Sequence, residues 1–208
     1  MGCCKNSRFK NKRISKTYFE KDSNHYSFPF ISYNENEIKI IPENYDSNSC
    51  YEYDLDLNNK KEIIPIPLID PVLFIKDEFE WILGSLKETG SNEALFAYYR
   101  EKEGLNSKFI PHPLNPIITG LRGSRNAGPI FKLNNKFYRI AQNSTNTYGE
   151  SIIIKEIIKF SPDEYEEKEL KEIRADHFKK YNRGIHTLSF NEHYICIDAK
   201  RFEFKFTK

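Results

Sequence analysis

Apolar and polar positions along this chain repeat one arrangement: a short apolar strand, a polar turn, and a second apolar strand. The first copy is Phe28-Pro29-Phe30-Ile31, a turn at Asn34-Glu35-Asn36, and an apolar run over 38–41. The second is Pro71-Val72-Leu73-Phe74, a turn at Lys76-Asp77-Glu78, and a run over 79–83. The third is Pro129-Ile130-Phe131, a turn at Asn134-Asn135, and a run over 137–140. The fourth is a run over 185–190, a turn at Asn191-Glu192, and a run over 194–197. The turns lie about 40 to 60 residues apart, and self-similarity at that period marks a propeller or a solenoid. Hairpins of apolar strands, in place of amphipathic helices, select the propeller.

A second pair of strands follows each of the first two copies, at 50–55 with 62–66 and at 94–100 with 108–110. The β-branched run over 151–160 follows the third. Ser161-Pro162-Asp163-Glu164 reads as a helix start, with Ser161 as N-cap, Pro162 in the first turn and acidic residues at the N-terminal end. This predicts one charged helix on the outside. Phe202-Glu203-Phe204-Lys205-Phe206 alternates as a half-buried strand that completes a blade. The fold class expected is all-β, a five-bladed β-propeller-like architecture with four recognisable repeats and a missing or rudimentary first blade.

The start of the chain differs. Lys5, Arg8, Lys10, Lys12, Arg13 and Lys16 crowd a stretch with few apolar residues, so 1–17 reads as a basic disordered arm and 18–208 as the propeller-like domain. Gly2, Cys3 and Cys4 ahead of these bases are placed as in a dual-acylation signal, although Asn6 stands where Ser or Thr is usual. The chain has 208 residues, a net charge of +2 and 30% charged residues, a balance that argues against a nucleic-acid partner. No apolar run is long enough to cross a membrane, and no secretory signal is visible. Four cysteines occur without metal-ligand spacing, and Cys50 and Cys196 in apolar strands read as buried free thiols of a reducing compartment. The expected location is the cytoplasm, with membrane contact through the arm.

His112-Pro113-Leu114-Asn115-Pro116, then Arg122-Gly123-Ser124-Arg125-Asn126-Ala127-Gly128-Pro129, form an ordered string. It continues through Phe137-Tyr138-Arg139-Ile140-Ala141-Gln142-Asn143 and Thr147-Tyr148-Gly149. This string resembles the N-terminal propeller-like domain of the glucosamine inositolphosphorylceramide transferase family, which also occurs beside bacterial sugar formyltransferases. The resemblance runs from about residue 18 to the C-terminus. It implies an architecture like that of five-bladed glycosidases and work on carbohydrate, and it includes no transferase module.

In a propeller, the start of each innermost strand faces the mouth of the central channel. The residues just ahead of each repeated phrase are His25, Asp70, Arg125 with Asn126, and His186; Glu43, Gln142 and Asp198 end the second strands. Asp70 and Glu43 are the candidate catalytic pair, because glycoside hydrolysis needs two carboxyls at a set separation. Arg122 and Arg125 flank a Gly-Ser turn and could grip a phosphate or carboxylate as two forks. Asn126, Gln142 and the histidines offer hydrogen bonds to sugar hydroxyls, and Tyr148 offers an apolar ring face. His112, between two prolines, reads as structural. No cofactor or metal is called for.

Three functions fit these residues. One is a domain that binds a sugar, sugar phosphate or nucleotide-sugar as accessory to a partner glycosyl- or formyltransferase in glycan or glycolipid assembly. The second is a glycosidase-like enzyme using Asp70 and Glu43. The third is a scaffold tethered to a membrane by the arm.

Overall fold

The computed structural model describes residues 24–34, 37–102 and 107–203. The acylation positions, the whole basic arm and Phe204-Lys205-Phe206 lie outside the described residues. Asn134 and Asn135 both take positive φ, which a two-residue hairpin requires if its twist is to match the strands it joins. Asp77 does the same in the second repeat. Each repeated phrase is therefore a tight hairpin, and each hairpin is the inner half of one sheet.

The first sheet runs β1 (Ser27–Asn34), β2 (Glu37–Glu43), β3 (Cys50–Tyr53), β4 (Lys60–Ile64) in spatial order. The second runs β5 (Ile69–Lys76), β6 (Phe79–Ser85), β7 (Ala94–Glu101), β8 (Ile110–Pro111), with β9 (Ile118–Thr119) also pairing with β7. In the third, β10 (Arg122–Asn126) and β11 (Phe131–Leu133) pair with β12 (Lys136–Asn143), followed by β13 (Ser151–Phe160) and β14 (Tyr165–Arg174). The fourth holds β15 (Gly184–Phe190) and β16 (Ile195–Lys200). Every pairing is antiparallel. The chain is all-β with a propeller-like succession of blades.

The cores lie between blades. Ile41, Cys50 and Ile64 of the first blade pack with Ile82 and Tyr98 of the second. Trp81, Leu83 and Leu95 of the second pack with Ile157 and Phe160 of the third, where the Trp81 and Phe160 ring centroids are 4.2 Å apart. Ala127, Ile140 and Ile152 of the third pack with Ile185 of the fourth. Both faces of the middle strands of the second and third sheets are thus covered, so β6, β7 and β13 carry near-continuous apolar runs.

The expected helix is a strand. Ser161–Glu164 is a turn, in which the Glu164 N–H donates to the Ser161 hydroxyl at 3.1 Å and the Ser161 N–H donates to the Glu164 carbonyl at 3.0 Å. The charges that looked like a solvated helix face find opposite charges across the β13–β14 ladder. Lys155 stands beside Glu169, Glu156 beside Lys168, and Lys159 beside Glu166. Phe202 and Glu203 of the expected terminal strand follow β16 without being part of a strand. Cys50 is buried, and burial pushes its thiol up to about 12, whereas Cys196 is exposed because β16 is the open edge of a two-stranded sheet.

The signature string builds joints. Asn115 pairs with the backbone of Ala97 as a strand residue would, accepting at 2.9 Å and donating at 2.7 Å. His112 is buried, with Nε2 3.0 Å from the Ser161 carbonyl and Nδ1 accepting from the Leu114 N–H, the structural role expected of it. Gly128 lets the third blade meet the fourth, where Leu188 N–H donates to the Ala127 carbonyl at 2.7 Å. A Cβ at Gly128 would lie 2.0 Å from the Leu188 carbonyl oxygen. Gly128→Ala is therefore expected to cost about 1–3 kcal/mol. The checks are the urea midpoint and hydrogen exchange of the Leu188 amide, which should lose protection first.

Candidate functional site

Each innermost strand carries a bulge near its start. The register shifts between Ser27 and Phe30 in β1, Ile69 and Val72 in β5, Arg122 and Asn126 in β10, and Ile185 and Thr187 in β15. Bulges re-aim side chains. In β5 the bulged residue is Asp70, whose φ of 48° is a left-handed conformation that an Asp adopts at a cost of about 1–2 kcal/mol. Its backbone N–H donates to Glu43 Oε2 at 3.2 Å.

Arg125, on the β10 bulge, is the centre of the site. Its Nε donates to Asp70 Oδ2 at 2.5 Å, Nη1 donates to Asn92 Oδ1 at 3.3 Å, and Nη2 lies 3.6 Å from Glu43 Oε2. The side chains of Asp70 and Glu43 are each only 4% exposed. Asn126 donates to the Asp70 and Leu83 carbonyls at 3.0 and 3.3 Å, and Gln142 donates to the Asn126 carbonyl at 3.0 Å and to Asp70 Oδ2 at 3.4 Å. The Arg125 guanidinium lies 5.1 Å from the ring centre of Tyr148, and the Tyr148 and His186 rings are 5.3 Å apart. His186 Nδ1 lies 3.1 Å from Asp198 Oδ2. Seven of the nine residues singled out from sequence, namely Glu43, Asp70, Arg125, Asn126, Gln142, Tyr148 and His186, thus meet at one place.

Two do not join them. Arg122 points to the outside, where it forks onto Glu169 of β14 at 2.5 and 3.2 Å and reaches Glu172 at 3.4 Å. The expected pair of arginine forks is therefore split. His25 is exposed; its ring lies 5.6 Å from that of Tyr45 and its N–H donates to Asp46. The ladders explain the slip. Ser27 stands opposite Glu43 and Ile69 opposite Ser85, which makes Phe28 the counterpart of Asp70. Asn143 and Lys200 close the equivalent ends in the third and fourth blades. Lys200, which donates to the Tyr148 carbonyl, was legible from that register; Asn92, on the connection between β6 and β7, carries no repeat signal.

Burial pushes the Asp70 carboxyl up to about 8; Arg125 opposes the rise, and a hydrogen bond to the Glu43 side chain adds to it. Burial also lowers His186, with Asp198 opposing and Arg125 and Lys200 assisting. Gln142 Oε1, Ser85 Oγ and the Asn44 amide, all near this pair, are buried without a protein partner among the described residues. A second buried ion pair joins this cluster through Asn126. Arg139, fully buried, forks onto Glu167 at 2.8 and 2.9 Å and donates to Asn126 Oδ1 at 3.2 Å and to the Gly123 carbonyl at 2.5 Å. Burial works against ionisation of Glu167, yet the charge and hydrogen bonds of Arg139 and Lys155 hold its carboxyl down at about 2. Among the described residues no three His, Cys, Asp or Glu side chains converge to hold a metal ion, and no helix is long and apolar enough to cross a membrane.

The family model described as glucosamine inositolphosphorylceramide transferase 1, N-terminal, matches residues 17–195. The chain belongs to this family. It is 31% identical over 157 residues to the glucosamine inositolphosphorylceramide transferase 1 of Arabidopsis thaliana, and 28% over 151 residues to that of Oryza sativa subsp. indica. These alignments take in 70% and 69% of the chain but 20% of each relative, so this family member spans about a fifth of the curated proteins it matches. Among solved structures, it is similar to an alpha-L-arabinofuranosidase from Clostridium thermocellum, with a TM-score of 0.49, 15% identity, and coverage of 80% of this chain and 58% of the other. A putative hydrolase from Bacteroides ovatus gives a TM-score of 0.47, 11% identity, and coverage of 81% and 50%.

Asp70 and Glu167 contribute to the pH dependence of folding in opposite directions. The Asp70 carboxyl binds its proton more tightly folded than unfolded, so the stability it adds is complete below its ordinary 3.8 and is lost as pH rises through about 8. Glu167 is shifted the other way: its stabilisation is present above its ordinary 4.5 and is lost as pH falls toward about 2. Thermal unfolding against pH should therefore fall off in both directions. Asp70→Asn should flatten the decline toward pH 8 and leave the acid side intact; an unchanged slope in that variant would contradict the assignment.

Proposed function

We propose that this domain recognises carbohydrate on behalf of a glycosyl transfer in glycolipid or glycan assembly, through a pocket faced by Arg125, Tyr148 and His186. The observation that carries this reading is the placing of Arg125 on both carboxyls. Hydrolysis requires the acid and its partner to stand about 5 to 9.5 Å apart, with the scissile bond between them. Here the guanidinium bridges Asp70 Oδ2 at 2.5 Å and Glu43 Oε2 at 3.6 Å, and the Asp70 backbone N–H donates to Glu43 Oε2 at 3.2 Å. The groups left facing solvent are a tyrosine ring, 44% exposed, a half-buried imidazole and the edge of a guanidinium. An aromatic face with fixed polar groups around it is the chemistry that holds a sugar ring. The curated relatives are named as transferases, and this chain matches a fifth of them, which supports a role beside a transferring domain. The buried trio then supports the pocket floor and does not break bonds.

The test is thermal unfolding and calorimetry with a panel of neutral mono- and disaccharides. A ligand at about 100 times its Kd adds roughly 2.7 kcal/mol of stability. A shift that is reduced at least tenfold in affinity by Tyr148→Ala or His186→Ala supports the pocket. Turnover of any glycoside that disappears in Glu43→Gln would favour the hydrolytic reading instead.

A further inference from the structure

Beside the pocket, cations and aromatic rings alternate along the end of the fourth blade. Lys200 Nζ stands 5.9 Å from the centre of the Tyr148 ring whose other neighbour is Arg125. The Arg183 N–H donates to the Lys200 carbonyl at 3.1 Å, which fixes the preceding loop to the strand. The Arg183 guanidinium lies 5.0 Å from the ring of Phe202, a side chain 73% exposed. Lys180 and Arg201 flank the Tyr181 ring at 5.9 and 5.2 Å. Arg201 has Glu203 as partner, whereas Lys180, Arg183 and Lys200 have no carboxylate partner among the described residues. Three cations without a carboxylate partner among the described residues therefore share a strip with three rings, and the strip begins at Tyr148.

We infer that this strip is a binding site for an acidic oligosaccharide. Its sugar rings lie on Tyr148, Tyr181 and Phe202, and its carboxylate or other anionic substituents meet Lys180, Arg183 and Lys200. Arg125 is already committed to Asp70 and Glu43, so the pocket itself offers an anion little. The strip supplies that charge one sugar unit away. Rings placed between cations suit a ligand that alternates apolar faces with charge. A lipid surface would call for a broad apolar face, and Phe202 is the one wholly apolar ring of the strip. The charge balance of the chain does not favour a polyphosphate. The inference extends the pocket reading at Tyr148, but its charged half stands apart from it.

The experiment is calorimetric titration of the whole chain with trigalacturonate and with its methyl ester, a neutral ligand of the same length. The acid should bind at least about tenfold tighter than the ester, weaken as salt is raised, and lose about three- to tenfold in Arg183→Ala and in Lys200→Ala. Arg183 is at the surface, and Arg183→Ala should leave the unfolding midpoint where it was. Equal affinity for acid and ester, no binding of either, or acid binding indifferent to both substitutions would overturn the inference. So would displacement of trigalacturonate by poly(U) or by phosphatidylglycerol vesicles at lower concentration than by a longer oligogalacturonate. If Arg183→Ala abolishes binding of the acid while Tyr148→Ala leaves neutral sugars unaffected, the pocket reading fails and the strip stands.

Discussion

Asn126 is the residue on which the joint between the second and third blades depends. Its amide nitrogen donates to two carbonyls of the second blade, its amide oxygen accepts from Arg139 of the third, and its own carbonyl accepts from Gln142. Each of these groups is buried, and a buried polar group left without its partner costs about 1–3 kcal/mol. One side chain thus satisfies an inner strand, a neighbouring blade and a buried arginine together. Arg139 in turn requires Glu167, and Glu167 is held by Lys155 and Tyr165 as well. The polar chain runs from the outermost strand of the third blade to Asp70 at the pocket. Apolar packing brings the blades together, but it tolerates sliding. This chain of hydrogen bonds sets their register.

The cluster arises from repetition with differences. All four innermost strands are bulged near their starts, so the backbone re-aims a side chain at the same place in each blade. The first blade puts Phe28 there and the second Asp70, both at positive φ. The bulge itself recurs in every blade. What differs is the residue it aims, and only the second and third blades aim charged groups at one another.

The hairpins were legible in the sequence because their signals are local: alternation of apolar positions and turn residues such as Asn134-Asn135 that accept positive φ. Two things were not. The run over 165–174 has a plausible helix start and few apolar residues, and what makes it a strand is complementary charge on β13, visible only once the two are paired. That misreading carried a second with it. With 165–174 set outside as a helix, Glu169 and Glu172 were not available as partners, and Arg122 looked free to serve the site. The displacement of His25 has a different cause. Bulges add residues to one strand and none to its partner, so linear alignment of the repeats drifts by one or more positions at the place where the site residues sit.

Arginine at position 125 does what lysine there would not. A guanidinium is planar, with donors at its edge and open faces above and below. At the edge, Nε, Nη1 and Nη2 are aimed at Asp70, Asn92 and Glu43. On one face lies Tyr148. The orientation of the plane is set by the buried carboxyls, and the plane in turn sets the ring. An ammonium would satisfy one carboxyl, leave the other buried with a worse partner, and give the tyrosine no surface to lie against. The cost of burying two acids and a base is thereby converted into a fixed position for an exposed aromatic ring. Removing either acid would loosen that ring without touching it.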